Sequence, residues 1–249
     1  MRLITIFFIL PLLTACGASS PIKYTTVSVF KDKGGVFLGS NKEGQTVIGM
    51  SPYVAEVVAS SNDSTSSNSA DLDKNSFNLL SSNSFGKIRQ GSLTVGSRAV
   101  NILVYEDTAE IAGLFLVPVP SEGLLMMAGG DKLNGLPTGT FRYSGQNVVS
   151  VRASGSYREV GTFVLDVDFT SQKFDFAGTT ASNTINGSGV IDSSNGRFGS
   201  NSLSFRRNGT KYDATMYGVF SGTNAKAVSG IYHTNDAYPD FAGGFVGSR

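Results

Sequence analysis

The chain has 249 residues and sets 20 Lys+Arg against 19 Asp+Glu, so it carries no net basic field of the kind that attracts nucleic acid. Its single cysteine and single histidine exclude an internal disulfide and a zinc or iron site made of side-chain nitrogen and sulfur. Thirty glycines, abundant Ser and Asn, and Phe, Tyr and Val at alternate positions predict an all-β chain.

Residues 1–15 form an export signal. Arg2 precedes a mostly apolar run, Leu3 to Leu13, which is too short to span a bilayer. Thr14-Ala15-Cys16 at its end resembles the lipobox of bacterial lipoproteins. That resemblance implies cleavage before Cys16, with acylation of its thiol and of the new amino group. No thiol then remains as a nucleophile. Two or more chains hold stably, each buried methylene contributing about 0.8 kcal/mol. Residues 16–22 are the acylated tether, and the membrane is a partner through this anchor. Gly17 stands where a signal for inner-membrane retention is usually Asp, so the same resemblance implies the outer membrane.

Residues 23–135 are β-rich. Strand-like pieces occur at Tyr24–Phe30, Gly35–Leu38 and Thr46–Ile48. Ser51-Pro52 before Tyr53–Ala59 favours a short helix over a strand, with Ser51 as its cap and Pro52 in its first turn. Residues 60–84 hold ten Ser and five Asn. Such a composition predicts a long exposed loop whose later part, around Phe77–Leu80, docks. Ser92–Val95, Ala99–Glu106 and Ile111–Pro118 read as strands. Leu124–Ala128 reads as a strand or one turn of helix. Gly129 to Pro137 is rich in turn formers and marks a domain boundary.

From Thr138 the pattern sharpens. Thr140–Tyr143 and Val148–Val151 are strand pieces. Phe163, Leu165, Val167 and Phe169 alternate with residues assigned mostly to water, among them Asp166 and Asp168. Phe174 and Phe176 repeat the pattern after a Ser171-Gln172 turn. Gly187–Ile191, Arg197–Phe198 and Leu203–Phe205 follow, then a long strand placing Thr210, Tyr212, Ala214, Met216, Gly218 and Phe220 on one face. Asn195-Gly196 and Asn208-Gly209 are two-residue hairpin signals. Ala225–Tyr232 and Gly243–Val246 complete about eight strands, a number that closes into an antiparallel β-barrel and removes exposed edges. The aromatic stripe favours a filled interior over a ligand cavity. Residues 136–249 are expected to fold alone.

Tyr143-Ser144-Gly145, Phe163-x-Leu165-x-Val167-x-Phe169, Phe174-x-Phe176-x-Gly178, Gly218-x-Phe220-x-Gly222, Ala225-x-Ala227-Val228-x-Gly230 and Gly243-Gly244-Phe245 follow one another in this half. In that order, and with the lipobox, they resemble the β-barrel domain of transferrin-binding protein B and its relatives among Gram-negative surface lipoproteins. The resemblance covers about 136–249. It implies an eight-stranded barrel preceded by a smaller β-rich handle, here residues 23–135. It also implies a binding role, with nutrient or iron acquisition as the setting.

The residues offer little chemistry. His233 is read as a loop residue between the last two strands, with no nucleophile–base pair around it. Asp166 and Asp168 are read as solvated, and Arg206, Arg207 and Lys211 as a solvated barrel face. No catalytic residue, cofactor or metal is expected. The expected activity is reversible capture of a host protein or solute by loops. Tyr232, His233 and Tyr238 form the preferred contact region. The alternative is a structural envelope lipoprotein without a soluble ligand. Cell-surface and periplasmic display both remain open.

Overall fold

The computed structural model describes residues 22–24, 36–40, 46–50, 70–72, 78–95, 98–119, 123–151, 158–235 and 241–249. Cys16, the Ser51–Ala59 segment and Tyr238 lie outside them. Among the described residues every regular element is a strand.

The first half supplies β1 (Ile22–Tyr24), β2 (Val36–Ser40), β3 (Thr46–Met50), β4 (Ala70–Leu72), β5 (Asn78–Asn83), β6 (Gly86–Val95), β7 (Arg98–Glu106), β8 (Ala112–Val119) and β9 (Gly123–Gly130). β1 pairs with β4. The other seven form one sheet in the order β2-β3-β9-β8-β7-β6-β5. Residues 60–84 are therefore not loop throughout. Their end is an exposed edge strand, β5, because pairing with β6 satisfies its backbone even where its side chains bury little. Leu124–Ala128 belongs to strand β9, not to a helical turn.

The second half supplies β10 (Thr140–Val151), β11 (Arg158–Asp168), β12 (Lys173–Thr179), β13 (Asn183–Asp192), β14 (Arg197–Arg207), β15 (Thr210–Ser221), β16 (Ala227–Thr234) and β17 (Phe241–Ser248). They close into a barrel in chain order, with β17 returning to β10. The two pieces at Thr140–Tyr143 and Val148–Val151 are one continuous strand. Arg197–Phe198 and Leu203–Phe205 likewise join across a bulge between Ser200 and Leu203. Asn208 and Gly209 both adopt positive φ, 49° and 84°, as a two-residue hairpin turn requires. Asn195-Gly196 instead closes a four-residue turn, residues 193–196, in which Gly196 alone is at positive φ.

Alternation decides the core where it is unobstructed. β12 alternates exposed and buried from end to end, turning Phe174 and Phe176 inward. On β11, Phe163, Leu165 and Val167 are buried. The interior is filled by rings. Phe198 stands 5.1 Å from Phe174, 4.8 Å from Phe220 and 6.2 Å from Phe245, centre to centre.

Room for these rings comes from glycines directly across the ladder. Phe198 faces Gly218, Phe245 faces Gly230, and Tyr232 faces Gly243. A Cβ on Gly218 would sit 2.1 Å from the Phe198 ring, and one on Gly243 would sit 2.2 Å from the Tyr232 ring. Each ring fills the space that a side chain at the facing glycine would take. The glycine and aromatic spacing read from the sequence is this pairing seen in one dimension.

The alternation fails on β10, β16 and β17, where both faces are buried. Their outer face is covered by the handle sheet. Val148, Val219, Ala227, Ile231, Ala242 and Val246 meet Tyr105, Leu114, Leu116, Met126 and Ala128 in a second apolar core. Leu114 seats against Gly244. Polar links frame this core. Gln146 Nε2 donates to the Glu106 carbonyl at 3.1 Å, and Ser229 Oγ to the Gly129 carbonyl at 3.1 Å. The connection over residues 131–137 also packs, with Leu133 and Leu136 closing one end of the barrel.

Asp166 and Asp168 face outward as expected. Asp166 takes a bidentate bond from Arg142 at 2.7 and 2.8 Å, both side chains being well exposed. Such pairs contribute about 0–1 kcal/mol. Asp168 does more than face water. It accepts from Thr170 N, Ser171 N and Ser171 Oγ at 2.9, 3.2 and 2.7 Å, fixing the β11–β12 turn. The Ser171 hydroxyl, then the two backbone donors, hold its carboxyl below the ordinary value. A depressed pKa gives stability that is present above the ordinary carboxylate range and lost as pH falls through the folded value. Asp168→Ala should therefore lower the melting temperature at pH 7 more than Asp166→Ala. That difference should close as the pH drops below about 3.9, and melting curves across pH would check it.

Candidate functional site

Four connections gather at one end of the barrel: β10–β11, β12–β13, β14–β15 and β16–β17. Residues 152–157 and 236–240 of the first and last lie outside the described residues. The rim beneath all four is defined.

Glu159, the second residue of β11, is buried at this rim. Its carboxylate accepts from Thr180 Oγ1 at 2.6 Å, Ser182 N at 2.8 Å and Asn183 Nδ2 at 2.8 Å, and Arg207 Nη1 lies 3.7 Å away. One carboxylate thus ties the start of β11 to the β12–β13 turn and the end of β14. A buried charge is tolerated because three donors meet its Oε2 and a cation stands near its Oε1. Arg207 also lies over the Phe241 ring at 5.6 Å. Phe241 stacks on Phe205 at 4.8 Å and meets the edge of Tyr212 at 5.0 Å. Arg207 is therefore half-buried and built into the rim, whereas Arg206 and Lys211 are exposed. At the last connection, Thr215 Oγ1 donates to Asn235 Oδ1 at 2.7 Å, and Asn235 N donates to the Asp213 carbonyl at 2.8 Å.

The expected contact residues separate. Tyr232 and His233 are not in the loop, because β16 runs on to Thr234. Tyr232 points into the barrel and is 1% exposed; its hydroxyl donates to Asn147 Oδ1 at 2.7 Å. Burial raises its pKa far above the ordinary tyrosine value. It is an interior residue that braces the core. His233 is on the outer face, half-buried, with Nδ1 2.8 Å from the Thr234 carbonyl. Burial pulls its pKa below the ordinary imidazole value, so the ring is neutral at pH 7. Of the two described, His233 lies beside the loop end and Tyr232 does not.

Glu159 and Asn183 have no place in the sequence reading, and Arg207, expected on a solvated face, is instead drawn into the rim by Glu159 and Phe241. Arg158-Glu159 at the start of an alternating strand was the available signal, since a charged residue on the inward register requires a partner.

The arrangement is a hydrogen-bonded frame under four loops. Among the described residues no group of three or more His, Cys, Asp or Glu side chains could hold a metal ion. Shallow grooves cross the outer wall, one over β10–β13 and one over β13–β15, lined by residues such as Arg142, Asp175, Val190 and Tyr217.

No protein-family model matches the sequence, and no curated protein does. Solved structures do match. The haemoglobin receptor HpuA from Kingella denitrificans aligns with a TM-score of 0.54 at 11% identity, covering 94% of this chain and 88% of the receptor. Isotype 1 transferrin binding protein B from serogroup B Neisseria meningitidis aligns with a TM-score of 0.50 at 13% identity, covering 90% of this chain and 52% of that one. An intact transferrin binding protein B with N and C lobes aligns over 92% of this chain and 60% of its own length, with a TM-score of 0.49 at 12% identity. The chain thus spans about half to three-fifths of the transferrin binding proteins and most of the haemoglobin receptor. Its handle sheet laid against an eight-stranded barrel is the fold of a transferrin-binding-protein-B-like lobe.

Proposed function

We propose that this chain is a lipid-anchored protein of the bacterial outer membrane, displayed at the cell surface. It holds a host protein through the loops at one end of its barrel and performs no chemistry. One observation carries the reading: handle and barrel together align with nearly the whole of a haemoglobin receptor. The filled interior supports it, because a barrel packed with rings leaves no room for a small ligand and directs binding to the loops and outer wall. Haemoglobin and transferrin are the partners to test first. Cys16 carries the anchor, and His233 and Tyr238 belong to the contact region.

Intact cells treated with protease should lose the protein if it is displayed outward. Cys16→Ala should abolish labelling by palmitate analogues and release the chain from the membrane fraction. The purified chain should bind immobilised haemoglobin or transferrin saturably. His233→Ala with Tyr238→Ala should weaken that binding several-fold while leaving the melting temperature nearly unchanged. Saturable binding unaffected by the double substitution would move the site off this loop. Failure to bind either protein would favour an envelope lipoprotein without a soluble ligand.

A further inference from the structure

Three of the five large apolar side chains that stand exposed among the described residues belong to one hairpin: Leu79 at 53%, Leu80 at 54% and Phe85 at 43%. β5 ends the handle sheet among the described residues. A bulge between Leu79 and Ser81 interrupts its pairing with β6 and leaves Leu80 as the extra residue. A bulged edge twists away from strand addition, so this is a poor place for another chain to extend the sheet. Phe85 occupies the turn itself, a position where Asn or Gly is usual. Its backbone N–H donates to Asn83 Oδ1 at 2.8 Å, which holds the turn with the ring outside. The neighbouring cations are already matched. Lys87 pairs with Glu110, and Arg89 with Glu106 at 2.8 Å and Glu110 at 3.2 Å. The hairpin therefore presents apolar surface beside neutralised charge.

Its position in the chain indicates what covers it. Ile22 opens β1 and pairs with Leu72 of β4, and β4 runs beside β6. Six peptide steps separate Cys16 from Ile22. They span no more than about 22 Å, at ~3.3–3.6 Å per residue. The tether thus ends at a strand pair beside β6, the strand that forms the hairpin with β5, so an acylated Cys16 would hold the lobe by the part of the handle that carries this hairpin. We propose that Leu79, Leu80 and Phe85 form a second membrane contact, seated at the boundary between headgroups and acyl chains, which fixes the orientation of the lobe on the bilayer. This rests on the lipid anchor of the preceding section.

The chain has no tryptophan, so Leu80→Trp and Phe85→Trp each introduce a single reporter, and Val190→Trp, at a 65% exposed site on the barrel wall, is the reference. The mature chain, residues 16–249, is coupled through the Cys16 thiol to a maleimide-bearing phospholipid in vesicles of phosphatidylethanolamine and phosphatidylglycerol. Coupling in this way supplies the tether whether or not cells acylate Cys16. Palmitate-analogue labelling of the wild type in cells tests that reading separately. Emission from both hairpin reporters should move to shorter wavelength on vesicles and be quenched several-fold more by brominated lipid than emission from Val190→Trp. Hairpin reporters as water-exposed and unquenched as the reference would overturn the membrane contact. A concentration-dependent shift in solution without vesicles would also overturn it, assigning the patch to a second copy of the chain.

Discussion

Replacing Phe198 by Ala should lower the stability of the lobe by about 3–5 kcal/mol. The ring is 4% exposed and touches Phe174, Phe220 and Phe245, so its loss opens a void in the middle of the barrel. A small domain has only about 5–15 kcal/mol in total, and a loss of this size should be plain in urea titrations. Gly218→Ala should also destabilise, by about 1–3 kcal/mol or more, because the three heavy atoms nearest an added Cβ are all in the Phe198 ring, at 2.1, 2.5 and 2.6 Å. The double variant decides the mechanism. With the ring gone the new methyl has space, so the two costs should sum to more than the double variant shows. Additive costs would mean that Gly218 is needed for its backbone and not for its missing side chain.

The second large effect concerns the contact between handle and barrel. Leu114→Ala should cost about 2–5 kcal/mol, since Leu114 is fully buried against β17. The loss should appear in barrel and handle together, as one unfolding transition followed by hydrogen exchange in both sheets. Residues 136–249 alone should bind a hydrophobic dye and melt broadly, because Val148, Val219, Ile231 and Val246 would then face water. A sharp melt of that segment at the temperature of the whole chain would show that the handle merely rests on the barrel.

This expected result differs from the independent folding of residues 136–249 that the sequence suggests, for a physical reason. Alternation reports whether one face of a strand meets water, and β12 reports it cleanly. On β16 and β17 both faces are dry, and the chain reads as a nearly continuous apolar run: Ala227-Val228-Ser229-Gly230-Ile231-Tyr232. That run states that something covers the barrel but not what, so the strands of both sheets are legible while the contact between them is not. β5 hides for the opposite reason. Asn78-Leu79-Leu80-Ser81-Ser82-Asn83 has no alternation to read, because a bulged edge strand with exposed side chains is specified by its backbone ladder alone. The loop end was legible as turns, Asn208-Gly209 above all. Its frame was not, since the link from Glu159 to Thr180 spans 21 residues and that to Asn183 spans 24. Tyr232 misled because a tyrosine beside a polar loop resembles a contact residue, whereas here its ring covers Gly243.

The ring-over-glycine packing has a consequence for redesign. Each ring is a plug seated on bare backbone, and two neighbouring plugs, Phe198 and Phe245, can be drawn together without touching the barrel wall. The space left would be apolar and enclosed, and voids of that character stay dry and admit benzene or xenon. A lobe weakened by Phe198→Ala and Phe245→Ala should therefore regain stability in proportion to the logarithm of added benzene. That would turn a closed scaffold into a host for small hydrocarbons.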